Sequence, residues 1–217
     1  MNSSTSGRSA ATAHLLSVCP VIPVITIECS TDAVPLAHAL IAGGIRAIEI
    51  TLRTPAGREA ARAIVKGAPE AIVGVGTVLN SGDVDIAKDL GAHFIVSPGA
   101  TPELLASAAA SGLPFLPGVQ TATELMTCLA AGLDIVKFFP AVPAGGLAMI
   151  RAFAGPFPQV RFCPTGGIGE SNAAEWLAEP NVLAVGGSWV APTADIRNGD
   201  WAAITARAER AQTLRRR

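Results

Sequence analysis

Eight apolar runs recur along this 217-residue chain, their starts 20 to 26 residues apart, and that spacing narrows the available folds more than any other feature. They are VIPVITI from Val21, AIEITL from Ala47, IVGVGTV from Ile72, FIVSPG from Phe94, PFLPGV from Pro114, IVKFFP from Ile135, VRFCPTGG from Val160 and VLAVGGSWV from Val182. Most are near-continuous rather than alternating, as strands covered on both faces of a parallel sheet read. The segments between them, such as AVPLAHALIAGG, SGDVDIAKDLGA, TPELLASAAASG and TATELMTCLAAG, carry helical periodicity. Gly43, Gly67, Gly91, Gly112, Gly132 and Gly155 stand where such helices would end in a left-handed residue, and Ser81, Thr101 and Thr121 where they would be capped.

Repeated strand–helix units leave two architectures, a closed barrel or a large doubly wound sheet. No GxGxxG follows the first run, and glycine pairs appear only after the seventh and eighth, at Gly166-Gly167 and Gly186-Gly187. The expectation is therefore an α/β fold, a (β/α)8 TIM barrel formed as a single domain by residues 13–217. The units share pattern but not sequence, so they are the fold itself and not a solenoid. Residues 1–12, MNSSTSGRSAAT, lack the apolar core of a secretory signal and are expected to form a flexible leader.

Composition removes several function classes. Half of the residues are hydrophobic, 15% are charged and the formal net charge is -1, which leaves no basic excess for a nucleic-acid backbone. No apolar run approaches the ~20 residues of a membrane span, so a soluble protein with no membrane partner is expected. Cys19, Cys29, Cys128 and Cys163 show no CxxC spacing, and His14, His38 and His93 no HxxxH. Neither a disulfide framework nor a metal site is suggested, and a reducing cytoplasm fits best. The terminal LRRR reads as cations complementing the end of a last helix rather than as an interaction tail.

In a barrel the working groups sit at the C-terminal ends of the strands. The polar residues there are Glu28, Glu49, Thr51, Arg53, Thr77, Ser97, Gln120, Lys137, Thr165 and Ser188. Lys137 lies inside DIVKFFP, where side chains two apart share a face, so Lys137 and Phe139 point together. Desolvation disfavours an ammonium, and the free amine is the nucleophile that attacks a ketone to form a Schiff base. The competing readings are a lysine that snorkels to the rim or one paired permanently with a carboxylate. Glu49, Thr51 and Arg53 alternate along AIEITLRT and also share a face. Glu49 there could move protons and Arg53 could fork onto a substrate carboxylate or phosphate, unless the two form an internal structural pair.

Thr77, in GVGTVLN, is a candidate carboxylate ligand or simply part of a helix start. The glycines of PTGGI and GGSW let backbone N–H groups approach an anion, and their place at consecutive strand ends favours a phosphate site over a pair of ordinary turns. Glu28 is a rival acid or base, though a rim-exposed glutamate is the plainer reading. The cysteines read as packing residues, with Cys163 alone near the expected mouth.

GGIRAIEITLRT, GVGTVLN, FIVSPGATPELL, DIVKFFPA, PQVRFCPTGGI and VGGSWVAP, in this order from about Leu15 to Trp201, together resemble the 2-keto-3-deoxy-6-phosphogluconate (KDPG) aldolases, which also act on 4-hydroxy-2-oxoglutarate. KFFPA with CPTGGI is the specific part of the likeness. The resemblance implies a class I lyase, independent of metal and cofactor, on a (β/α)8 barrel and assembled as a homotrimer. It implies Lys137 as the Schiff-base lysine and Glu49 as the general acid and base. Arg53, Thr77 and Pro98 would line the pyruvoyl end with Phe139 beside the lysine, while Thr165, Gly166, Gly167, Gly186, Gly187 and Ser188 would surround the phosphate. The departures are the polar leader, the ECSTD turn after the first run and the AVPAGG loop after the sixth. They bear on substrate preference, including an aldolase for the galactonate epimer. Three rivals to the aldolase reading are a sugar-phosphate isomerase or epimerase, a metal-dependent aldolase and a silent sugar-phosphate sensor.

Overall fold

The computed structural model describes residues 3–214, with side chains from residue 10 onward. Helix α1 (Ser3–Ser17) leads into β1 (Val21–Ile25), α2 (Ala33–Ala42), β2 (Ala47–Thr51), α3 (Ala56–Gly67), β3 (Ile72–Gly76) and α4 (Ser81–Asp89). Next come β4 (Phe94–Val96), α5 (Pro102–Ser111), β5 (Phe115–Leu116), β6 (Gly118–Val119), α6 (Ala122–Ala130), β7 (Ile135–Phe138) and α7 (Gly146–Ala154). The chain continues through β8 (Arg161–Pro164), α8 (Ala173–Leu177), β9 (Val185–Gly187), α9 (Thr193–Asn198) and α10 (Trp201–Thr213). Every apolar run contains a strand, and β1, β2, β4 and β7 are buried at each residue, as the unbroken hydrophobicity of their sequences requires.

All strand pairs are parallel and form a curled sheet in two sections, ordered β5-β4-β3-β2-β1-β9 and β6-β7-β8. This is an α/β fold, but its ladder is not the continuous eight-stranded ring expected from the count. The fifth run is split into β5 and β6 by Pro117, which has no N–H to give to a ladder. Its carbonyl still accepts from the Lys137 N–H at 2.8 Å. At the other junction the sections meet in two isolated parallel bridges, Phe162 to Val182 and Thr165 to Gly186. A single apolar core runs from Leu15 to Ala211.

Helix boundaries follow the local signals with specific exceptions. Thr101 and Thr121 accept from the backbone N–H groups of Leu104 and Glu124, and the Glu124 carboxylate accepts in turn from the Thr121 N–H to complete a capping box. At α4 the cap is Asn80, not Ser81, because the Asn80 carboxamide accepts from the Asp83 N–H. Gly91, Gly112 and Gly132 take positive φ as expected of helix stops, whereas Gly43 and Gly155 do not, with φ of -81° and -67°. Gly43 is needed for space instead: any Cβ there would run into Ala208 where α10 packs on α2.

Helix α1 begins at Ser3, Thr12 is buried, α1 packs on β5 and β7, and its Leu15 and Leu16 join the apolar core. Arg215 to Arg217, most of the basic terminus, lie outside the described residues. Among the described residues no helix is long and apolar enough to cross a membrane.

Candidate active site

Glu49 and Lys137 come from strands in different sheet sections, β2 and β7, yet their side chains meet. Lys137 Nζ lies 3.5 Å from Glu49 Oε1, and both side chains are only 3% exposed. That separation exceeds the ~2.7–2.9 Å of a charge-assisted hydrogen bond. Oε1 accordingly has no hydrogen-bond partner in the protein, although it is buried. A paired charge buried for stability alone should have its remaining acceptors satisfied, so this pair is arranged for something else. The amine is also within reach of the Phe139 ring, 5.2 Å from its centroid, as expected for residues two apart on one face.

Close approach at this site depends on missing side chains. A Cβ on Gly76 would collide with the Glu49 carboxylate, so the glycine of β3 makes the space that Glu49 fills. Gly118, the register partner of Lys137, likewise admits the Pro98–Gly99 backbone, where a Cβ would strike the Pro98 carbonyl. Pro98 is thereby brought to the strand beside the lysine.

Cys163 is the other register partner of Lys137 and a rival nucleophile beside it. Burial pushes its thiol up to about 12, and the Glu49 charge adds to that while the Lys137 charge and a Thr165 hydrogen bond oppose it. It stays a thiol at neutral pH, so the Lys137 amine has no thiolate at this register position. The expectation that the cysteines are packing residues holds for Cys19, Cys128 and Cys163, which are buried and free; Cys29 is free and exposed.

Arg53 does not pair with Glu49. Its Nε donates to the Thr77 hydroxyl at 3.1 Å, and among the described residues no carboxylate forms a salt bridge with it. The guanidinium fork is left for another anion. Thr77 has φ of 62°, in the left-handed region that a branched side chain avoids, and is the only described non-glycine residue there. Such strain persists where the surroundings impose it and concentrates at functional sites.

Arg53 and Phe139 open onto a cleft of about 270 Å³ shared with Thr165, Gly166, Gly167, Gly187 and Ser188. Gly166 and Gly167 have φ of 103° and 79°, which turns the backbone after β8 into the cleft. The side chain of Asn172 braces this turn, accepting from the Gly169 N–H at 2.9 Å and donating to the Gly167 carbonyl at 3.1 Å. Gly186 does not line the cleft; it makes room for Thr165, whose hydroxyl a Cβ at 186 would strike.

The cleft also contains Val24, Thr26 and Thr193, none of them singled out from the sequence. Thr26 was detectable in principle, since it alternates with Val24 along VIPVITI and shares its face. Of the other polar strand-end residues, Glu28 is at the rim in an ion pair with Arg197 at 2.7 Å. Thr51 is buried and donates to the Ile25 carbonyl at 3.0 Å, Ser97 is buried and accepts from the Gly118 N–H at 3.4 Å, and Gln120 is exposed. Among the described residues no group of three His, Cys, Asp or Glu is placed to hold a metal ion.

Comparison with known proteins gives this geometry a context. Residues 13–207 match the family model described as "Aldolase: KDPG and KHG aldolase". The KHG/KDPG aldolase of Escherichia coli is 48% identical over 191 residues, which is 88% of this chain and 90% of that protein. The crystal structure of a KDPG aldolase from Legionella pneumophila, with pyruvate captured as a covalent carbinolamine intermediate, superposes with a TM-score of 0.91 at 45% identity, covering 93% of this chain and 98% of that one. The KDPG aldolase of Zymomonas mobilis with 3-phosphoglycerate superposes with a TM-score of 0.92, also at 45% identity, covering 96% and 98%.

Proposed function

The chain belongs to the family of KDPG and KHG aldolases, and from that premise we propose that its chemistry runs through a Schiff base on Lys137 with Glu49 as the proton-transfer group. The protein is a lyase that cleaves KDPG, giving pyruvate and glyceraldehyde 3-phosphate. The observation that carries the mechanism is the buried, 3.5 Å approach of the Lys137 amine to an otherwise unpartnered carboxylate oxygen. Neutral Nζ adds to the C2 ketone to form a carbinolamine, and Glu49 assists the proton transfers by which water leaves. The resulting iminium is the electron sink. Glu49, directly or through water, then takes the C4 hydroxyl proton, the C3–C4 electron pair moves into the iminium, and the aldehyde departs. The enamine is protonated at C3 and hydrolysed to pyruvate, which frees the lysine.

Arg53 and Thr77 are proposed to hold the substrate carboxylate, next to Pro98 and Phe139. Thr165, Gly166, Gly167, Gly187 and Ser188 are proposed to hold the phosphate through backbone N–H groups and hydroxyls, with Gly186 supporting Thr165. The pairing of Arg53 with Thr77 rather than with a carboxylate supports the first assignment, and the positive φ angles at Gly166 and Gly167 support the second. Cleavage of 4-hydroxy-2-oxoglutarate to pyruvate and glyoxylate belongs to the same proposal.

The curled sheet is read as a closed (β/α)8 barrel of one domain, supported by the two bridges at one junction and by the single proline that separates β5 from β6 at the other. A homotrimer is part of this reading; the large apolar side chains of Leu79, Met126 and Val142, exposed on a single chain, give such contacts something to cover. Sedimentation at equilibrium tests it.

Borohydride reduction in the presence of pyruvate tests the mechanism. A pyruvate-derived mass on the peptide carrying Lys137 is expected, and active enzyme without that adduct would overturn the imine route.

A further inference from the structure

Thr26 is half-buried and lines the cleft, and the hydrogen bonds of its hydroxyl fix that group's polarity. Thr26 Oγ1 and Thr51 Oγ1 are 3.1 Å apart, and Thr51 Oγ1 is also 3.0 Å from the Ile25 carbonyl. A carbonyl only accepts, so the single proton of Thr51 is committed to Ile25. A hydroxyl has no second proton, and Thr26 must therefore be the donor of the Thr26–Thr51 pair. What Thr26 presents to the cleft is an oxygen with lone pairs and no hydrogen. It suits a ligand O–H and repels a carboxylate or phosphate oxygen.

Its place in the sheet says which ligand hydroxyl. Strand β1 lies between β2, which carries Glu49, and β9, which carries Gly187. Val24 is in register with Glu49, and Pro23 with Gly187, so Thr26 stands two residues above the level of the carboxylate, on the same face as Val24 and toward the mouth. In a six-carbon keto acid with its C4 hydroxyl at Glu49 and its C6 phosphate at the glycines, the group between those two points is the C5 hydroxyl.

We infer that Thr26 is a specificity-determining residue that accepts a hydrogen bond from the C5 hydroxyl of the phosphorylated substrate. This rests on the aldolase reading of the same site. It gives the enzyme a means of preferring a hydroxylated chain over a substrate that lacks that group, because a hydroxyl bound to a directed acceptor is distinguished from its absence.

The test uses the full chain in the synthetic direction. Pyruvate is condensed with glyceraldehyde 3-phosphate or with 3-hydroxypropanal phosphate, which lacks the hydroxyl that becomes C5 but still generates the C4 hydroxyl. The ratio of kcat/KM for the two aldehydes is compared among the unaltered enzyme, Thr26→Val and Thr26→Ser. A fall of this ratio by about fivefold to tenfold in Thr26→Val, restored in Thr26→Ser, is expected for one neutral hydrogen bond. A ratio unchanged within twofold overturns the inference, whether or not both rates drop together, since an equal drop is what a purely structural threonine would give. Failure of the unaltered enzyme to condense either aldehyde, or to trap pyruvate on Lys137, would instead remove the aldolase reading, and this inference with it.

Discussion

Lys137 and Glu49 face each other across the fold at 3.5 Å, close enough to exchange a proton through an inserted group yet too far to be locked in a tight ion pair. Lys137→Met should lower kcat for KDPG cleavage by at least about four orders of magnitude, because the covalent route is lost. Glu49→Gln should lower kcat by about 10²–10⁴-fold while pyruvate can still be reduced onto Lys137, since proton transfer is impaired but the nucleophile is present. Steady-state kinetics with intact-mass analysis of borohydride-treated protein separates the two. Equal loss of trapping and turnover in Glu49→Gln would remove the division of labour proposed for the pair.

Gly76 should be intolerant of even one methyl group. Its substitution by alanine forces Glu49 away from its position. Gly76→Ala should reduce kcat by about 10²-fold or more through the displaced carboxylate and lower stability by about 1–3 kcal/mol through overpacking. Kinetics and urea unfolding on the same preparation check both.

At Thr77 the strain and the hydroxyl can be separated. Thr77→Ala keeps the disfavoured φ of 62° and loses the partner of Arg53, whereas Thr77→Gly loses the hydroxyl and relieves the backbone. Both should raise KM for pyruvate, but Thr77→Gly should be the more stable of the two by about 1 kcal/mol. Equal denaturant midpoints would show that the conformation at this position costs nothing.

The capping box at α6 sets a pH dependence far from the site. Burial, the largest single influence on Glu124, pushes its carboxyl upward, but hydrogen bonds from the Gln120 and Thr121 N–H groups and the Thr121 hydroxyl outweigh it and hold it below its ordinary value of 4.5. A carboxyl lowered on folding contributes stability that is present above the unfolded value and lost as pH falls through the folded one. Thr121→Ala should therefore cost about 1 kcal/mol at pH 7, with a penalty that shrinks below pH 4.5. Urea unfolding at a series of pH values reads the difference directly.

Thiol labelling offers a check on burial. At pH 8 the native chain should take up a single equivalent of an alkylating reagent, at Cys29, while Cys128 and Cys163, both pushed up to about 12 chiefly by burial, and the buried Cys19 stay unmodified until the protein unfolds. Early labelling of Cys163 would mean that water reaches the lysine freely.

Much of this was written plainly in the chain. Continuous runs such as AIEIT and IVKF announce strands covered on both faces, and TPEL and TATEL announce capped helices, because these signals act within a few residues. Lys137, Glu49, Arg53 and Thr77 could be picked out because they are polar residues where apolar ones would otherwise stand. Position in space was harder to read. That Arg53 turns to Thr77 and not to Glu49 depends on packing between β2 and β3, and the split of the fifth run depends on how Pro117 meets its neighbours. Thr26 is hard to read for a different reason. A threonine is at home in any strand, and only the commitment of Thr51 to a carbonyl gives its hydroxyl a direction.

Lys137 and Glu49, the two groups proposed to react, are eighty-eight residues apart in sequence and belong to separate sections of the sheet, one on either side of the break at Pro117. Neither half of the molecule holds a functioning centre by itself. Turnover therefore reports on the completed tertiary assembly: any partly built form that has its helices and local ladders but has not brought the sections together is chemically silent, however ordered it looks by spectroscopy.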